Sequence, residues 1–244
     1  MSRYLLKIAY DGTGYHGWQV QPNGITVQEV LCNKLSQLLK ESVNVTGCSR
    51  TDAGVHANEF YCHFDTVKAL PEKAYINGLN AILPNDISVL DCVGVNDDFH
   101  ARYSAKGKNY IYKFYDGQVP NPFLRNYALF VPKKIDVDLM NTFCKNFIGE
   151  YDFIGFSSSK RTVIDTIRHV SECSAERTGD IVILSVTANG FLYNMVRIIA
   201  GTALNAAYGK FDPMDTKKII ISKDRDAAGP TLPPHGLFLN KVFY

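Results

Sequence analysis

From Tyr4 to Tyr10 the chain alternates, with Tyr4, Leu6, Ile8 and Tyr10 on one side of an extended backbone and Leu5, Lys7 and Ala9 on the other. That period of two is the mark of a half-buried strand. A turn-rich aromatic stretch, DGTGYHGWQVQPNG (11–24), follows. The period then lengthens: Val27, Val30, Leu31, Leu35 and Leu38 form a helical stripe, opened by Thr26 and Glu29 at capping-box spacing. Residues 43–48 and 57–65 read as strands, the second with Phe60, Cys62 and Phe64 on one face. The run LPEKAYINGLNAILP (70–84) predicts a short helix stopped by Pro84, and a strand follows over 87–95.

Strand, helix, strand, strand, helix, strand is the βαββαβ order of a ferredoxin-like module. A looser second round predicts a strand at 108–116, a helix at 136–148 and strands at 166–177 and 181–189. Helices at 194–208 and 213–222 and a strand at 237–243 complete it. ERTGD (176–180) supplies a hairpin turn for its central pair. The expected fold class is α+β: two ferredoxin-like (RRM-like) units with mainly antiparallel sheets, helices covering one face, and sheets able to run together into one larger mixed sheet. Residues 1–100 are expected to form the N-terminal unit and residues 101–244 the C-terminal one. No flexible linker marks the boundary.

Composition sharpens this picture only slightly. The 244 residues suffice for a sizeable core. No apolar run reaches the ~18 residues of a membrane span, and MSRYLLKIAYDG reads as a strand from its start, not as a signal peptide. The six cysteines are scattered without CxxC or paired Cys/His spacing. Reduced thiols in a cytoplasmic protein are therefore expected, with no metal site. A net charge of +2 leaves a nucleic-acid partner open, because binding responds to the local field and clusters such as ARYSAKGKNYIYK (101–113) gather cations.

Two residues stand out chemically. FLYNMVRIIAGTALNAAYG (191–209) is a helix apolar on nearly every side with one charge, Arg197. A guanidinium there must snorkel or be paired. In a first helical turn, where the dipole disfavours a cation, a carboxylate partner is expected. GCSRTDAGVHA (47–57) offers an unusual carboxylate, Asp52, in a loop between strands, beside Arg50 and fenced by glycines that allow another backbone close. An Asx-turn or cap is the commoner use of such a residue. Cations nearby would keep it ionised, and an ionised carboxylate without an acid partner suits a nucleophile better than a general acid. His56, four residues on, suggests a nucleophile–base pair, but local hydrogen bonding is the expected role.

Five blocks in order, YDGTGYHGWQVQPNGITVQEVL, SRTDAGVHA, FHARYSAKGKNYIY, NGFLYNMVRIIAGTAL and GPTLPPHGLFL, resemble the successive motifs of the tRNA pseudouridine synthase A family from residue 10 to residue 239. The resemblance implies an isomerase that converts uridine to pseudouridine in the anticodon stem-loop of tRNA, at about positions 38–40. It also implies base flipping, no cofactor and no metal, a cytoplasmic location, and a homodimer with each tRNA bridging both subunits. On this chain the catalytic aspartate falls on Asp52. The active-site tyrosine, which stacks on the target base, falls on Tyr110, and the basic residue paired with the aspartate on Arg197. Arg50 matches the arginine that helps extrude the uridine, while Gly236 and Leu237 match the segment lining the base pocket.

Two rivals stand beside this reading. A non-catalytic RNA-binding protein of two RRM-like units would keep its function in Asp52→Asn. It should also show RNP-type aromatics, which YLLKIAY does not offer. A Cys- or Asp-based hydrolase on the same scaffold would act on small esters without RNA. One stretch departs from the family pattern: SSSKRTVIDT (157–166) is short, and it bears on which uridine is selected.

Overall fold

The computed structural model describes residues 1–158 and 164–244, so part of the short stretch 157–166 lies outside the described residues. The first strand, β1 (Ser2–Tyr10), buries Tyr4, Leu6, Ile8 and Tyr10 as its alternation demands. Helix α1 (Val27–Leu39) buries Val27, Leu31, Leu35 and Leu39, with Val30 and Leu38 at the margin of the stripe. Its start is set by Thr26, whose hydroxyl oxygen accepts the Glu29 N–H at 3.3 Å. Then follow β2 (Val45–Gly47), β3 (His56–Thr66), α2 (Glu72–Asn80) and β4 (Ile87–Val95).

The second round comprises β5 (Gly107–Tyr115), β6 (Leu129–Phe130), α3 (Val137–Phe147), β7 (Gly149–Asp152), β8 (Ile167–Thr178) and β9 (Ile181–Ala188). Helices α4 (Met195–Ala207) and α5 (Thr216–Ser222) and strand β10 (Leu237–Phe243) complete the chain. The fold is α+β, as expected. Two compact units emerge: Met1–Lys106 with Phe238–Tyr244, and Gly107–Leu237.

In the first unit β1 lies between β4 and β3, antiparallel to both. The other edge of β3 is shared. β2 pairs antiparallel with residues 62–64 and β10 pairs parallel with residues 56–57. The order β4-β1-β3-β2 is that of a ferredoxin-like sheet. Helix α2 rests on β4, and α1 on α2 and β2.

In the second unit the order is β5-β9-β8-β7, antiparallel throughout, with β6 parallel to the end of β5. Thr178 pairs with Ile181 across a two-residue turn in which Gly179 takes φ +60°. A left-handed first central residue is what a tight hairpin asks of glycine. Helix α4 packs on α3 and β5 and buries eleven of its thirteen residues. An all-round apolar helix has no other stable place.

The structure differs from the sequence reading in several places. Met1–Lys106 clusters with Phe238–Tyr244, and Gly107–Leu237 forms the other unit. β6 and β7, of two and four residues, are too short to show a period. The expected helix 213–222 is a 3₁₀ turn, Pro213–Asp215, running into α5.

Candidate active site

The RTDAG loop runs from Cys48 to Val55, between β2 and β3. It begins beside β3, where the Cys48 N–H donates to the Tyr61 carbonyl at 2.8 Å. Side chains then alternate in exposure: Arg50 is exposed, Thr51 buried and Asp52 intermediate. The loop 11–24 holds it. The Trp18 N–H donates to the Thr51 carbonyl at 3.1 Å and the Gly54 N–H to the Tyr15 carbonyl at 3.3 Å. The Tyr10 and Thr51 hydroxyls share a 2.8 Å hydrogen bond. Asp52 itself opens a tight turn, its carbonyl accepting the Val55 N–H at 3.1 Å, with Gly54 at φ +77°.

Glycine makes this embrace possible. A Cβ on Gly17, which has φ +85°, would stand 2.5 Å from the Thr51 carbonyl oxygen. On Gly12 it would stand 2.0 Å from that of Val55. Two backbones approach here as closely as only glycine allows. The inner face of loop 11–24 is closed by Trp18, stacked 4.0 Å from Phe60, and by Tyr15, whose hydroxyl donates to Asp86 at 2.6 Å. Burial, then the Asp86 carboxylate, pushes the Tyr15 phenol well up.

His56 is 1% exposed, and its ring stacks 4.6 Å from Phe238. The Gly12 N–H donates to its Nδ1 at 3.0 Å, while Asp11 Oδ1 lies 3.0 Å from the same nitrogen. One nitrogen cannot accept and donate at once. A backbone N–H has no choice of role, and Asp11 Oδ1 already accepts from the Thr13 N–H and hydroxyl. The Gly12 N–H bond uses Nδ1 as its acceptor. His56 ties loop 11–14 to β3 by a bond to a residue 44 positions away, where sequence position suggested a local partner.

Arg197, Tyr110, Gly236 and Leu237 belong to the second unit. Arg197 is half-buried in the first turn of α4. Its Nε donates to the Leu232 carbonyl at 2.6 Å and a terminal nitrogen to Asn194 Oδ1 at 2.8 Å. Asn194 adopts φ +62° at the helix start. Leu232 lies on a strap, residues 229–236, that crosses α4 where the helix has no side chain. A Cβ on Gly201 would stand 2.0 Å from the Pro230 carbonyl oxygen. The Gly229 N–H donates to the Thr202 hydroxyl at 2.8 Å, and Arg225 holds the Gly229 carbonyl and the Thr231 hydroxyl.

The strap ends on β5. The Tyr112 hydroxyl donates to the Pro233 carbonyl at 2.8 Å, and a Cβ on Gly236 would meet the Tyr112 ring at 2.8 Å. Burial drives the Tyr112 phenol well up. Tyr110, two residues earlier on the same face of β5, is 6% exposed, with its ring edge-on to Phe191 at 5.0 Å. Leu237, 6% exposed, opens β10. The second unit thus gathers Arg197, Gly236 and Tyr112 around one strap.

Sequence reasoning passed over Tyr10, Tyr15, Gly17 and Thr51 as parts of the Asp52 loop, and Tyr112 and Leu232 as parts of the strap. The only signal was density: aromatics and glycines crowd 10–18, and glycines and prolines crowd 229–236. Among the described residues no cluster of three or more His, Cys, Asp or Glu could hold a metal ion, and the cysteines form no disulfide. No helix among them is long and apolar enough to cross a membrane.

The family described as tRNA pseudouridine synthase matches residues 7–104 and 143–244. Fold and loop thus belong to the pseudouridine synthases, a class of isomerases. The tRNA pseudouridine synthase A of Caldicellulosiruptor bescii is 47% identical over 244 residues, covering 100% of both chains. That of Caldicellulosiruptor saccharolyticus is 46% identical with the same coverage, and that of Bacillus licheniformis 46% identical over 99% of each. The chain belongs to the tRNA pseudouridine synthase A family. Tyr110 falls between the two matched segments but inside the full-length likeness to these relatives. A chain of a solved Cbf5–Nop10–Gar1 complex aligns with 82% of this chain and 45% of its own, at TM-score 0.35 and 14% identity, too distant to carry an argument.

Proposed function

We propose that the protein isomerises uridine in the anticodon stem-loop of tRNA, at about positions 38–40, with Asp52 as the nucleophile acting on a flipped-out nucleotide. The reaction breaks the N1–C1′ bond, forms C5–C1′, moves the C5 proton away and returns one to N1. No atom is gained or lost, so the chemistry asks for no cofactor. A carboxylate serves it by attack at C1′, by addition at C6 or by assisting elimination, and each route needs the acid group fixed beside the glycosidic bond. What carries the reading is the loop: Asp52 is presented between glycines on a main chain bonded on both sides of it.

In this reading Arg197 pairs with the Asp52 carboxylate, and its guanidinium is already oriented by Leu232 and Asn194. Tyr110 stacks on the target base. Arg50, whose side chain is exposed, fills the gap left by the extruded uridine, offsetting an unstacking cost of a few kcal/mol. Gly236 and Leu237 line the base pocket. The working form is a cytoplasmic homodimer with each tRNA bridging both subunits, independent of metal.

The test uses tRNA tritiated at uridine C5, in versions keeping a single uridine at 38, 39 or 40. Tritium release from these, abolished in Asp52→Asn and untouched by EDTA, is expected. Tight tRNA binding without release from any substrate, equal in Asp52→Asn, would replace the isomerase reading with the RNA-binding one.

A further inference from the structure

We propose that the buried Tyr10–Thr51 hydroxyl pair is a positioning device for Asp52, setting the direction of its side chain without touching RNA. The proposal rests on the reading of Asp52 as nucleophile. Peptide planarity carries the first step. The Thr51 carbonyl is fixed on the Trp18 N–H, so the Asp52 N–H, trans to it, is fixed too. The Asp52 carbonyl is fixed on the Val55 N–H. With both flanking peptides held, the Cα–Cβ bond of Asp52 has one direction.

That direction is only as steady as Thr51. Its side chain is stiff about χ1, and its hydroxyl is anchored by Tyr10, the two residues being 7% and 5% exposed. Tyr10 meets the loop where the ladder beside it is irregular, β3 carrying one extra residue between Phe60 and Ala57. Ile8 pairs with Phe60, but Tyr10 pairs with Ala57, a slip of one residue. The pairing with β4 slips between Lys7 and Ile8. Bulges are common next to active sites, and these two lie in the strands on either side of Tyr10.

A core could be closed at this spot by a phenyl ring and a valine, and that contrast supplies the test. Removing one hydroxyl leaves the other buried without this partner, whereas removing both together restores an apolar fit. Tyr10→Phe, Thr51→Val, the double variant Tyr10→Phe/Thr51→Val, Thr51→Ser and Asp52→Asn are compared by thermal unfolding, tRNA binding and single-turnover tritium release. We expect the double variant to regain the melting temperature lost in the single variants. Its single-turnover rate should stay down by about tenfold or more, with tRNA affinity within about twofold of the parent. Thr51→Ser, which keeps the hydroxyl, should retain most of the rate. A double variant that regains the parent rate along with its stability would overturn the proposal, leaving the pair merely structural. If Asp52→Asn keeps turning over, the nucleophile reading itself falls; if Asp52→Asn is dead while Tyr10→Phe and the double variant run at the parent rate, only the positioning role falls.

Discussion

The loop around Asp52 is fixed through its main chain, whereas the strap beside Arg197 is held in part through the arginine's own side chain. In the first unit the described bonds run to the carbonyls of Thr51 and Asp52 and from the N–H groups of Gly54 and Val55. In the second unit the guanidinium bonds the Leu232 carbonyl and the side chain of Asn194. The contrast teaches which reactive group can be altered cleanly. A loop held by its own main chain keeps those bonds when a side chain on it is changed. A strap held in part by a side chain loses some of its bonds with that side chain.

The largest expected effect tests this directly. Asp52→Asn should lower turnover by about a thousandfold or more and cost less stability than the loss of Arg197, because the main-chain bonds of its loop stay in place. Arg197→Met should lower turnover as well and also cost about 1–3 kcal/mol, since the Leu232 carbonyl and Asn194 lose a charged donor. Equal stability losses in denaturant titrations of the two variants would break the comparison.

Next come the glycines that let backbones meet. Gly201→Ala, normally welcome in a helix, should here cost about 1–3 kcal/mol, because the new methyl lands on the Pro230 carbonyl. Gly17→Ala should cost about 1–2 kcal/mol more, for it adds a left-handed residue to a similar collision. It should also slow tritium release from pre-bound tRNA, because the struck atom is the Thr51 carbonyl oxygen. A stabilised Gly201→Ala would show that the strap yields.

The smallest effect is in acid. In the first unit His63 accepts the Ala101 N–H, and burial, then Arg3 and His100, bring its imidazole down to about 4. Its folded value lies below its unfolded one, so its contribution is complete above about pH 6.5 and drains away as pH falls through 4. In the second unit burial raises the Asp116 carboxyl, but Arg177, the Ile135 N–H and Lys134 outweigh it and bring it to about 2. That contribution is intact above about pH 4 and lost only as pH falls through 2. Amide exchange along a pH series should therefore show β1 and β3 losing protection before β5 and β9, and His63→Gln should narrow the gap. Simultaneous loss in both units would contradict it.

Much of the frame was legible in the sequence because it is local. Strand alternation placed β1, the bounds of β4 and β10 were read directly, and the Thr26/Glu29 spacing marked the start of α1. The uniform apolarity of α4 foretold its burial. Arg197 could be singled out because a charge in a setting that disfavours it is visible residue by residue, and Asp52 because glycines fence it beside a cation. What holds them was hidden. That Gly17 meets Thr51, or Gly201 meets Pro230, depends on which distant backbones come side by side, and no periodicity records that. The grouping of Phe238–Tyr244 with the first unit was missed for the same reason.

That last grouping reaches into how the protein is made. Phe238 lies against His56, the Lys106 N–H donates to the Phe243 carbonyl, and the Tyr244 hydroxyl donates to the Ala101 carbonyl. A ribosome delivers these seven residues only after all 131 of the intervening second unit, Gly107–Leu237, have been joined. The nascent N-terminal unit must therefore wait, one flank of β3 only partly covered, until Phe238–Tyr244 arrive to cover it.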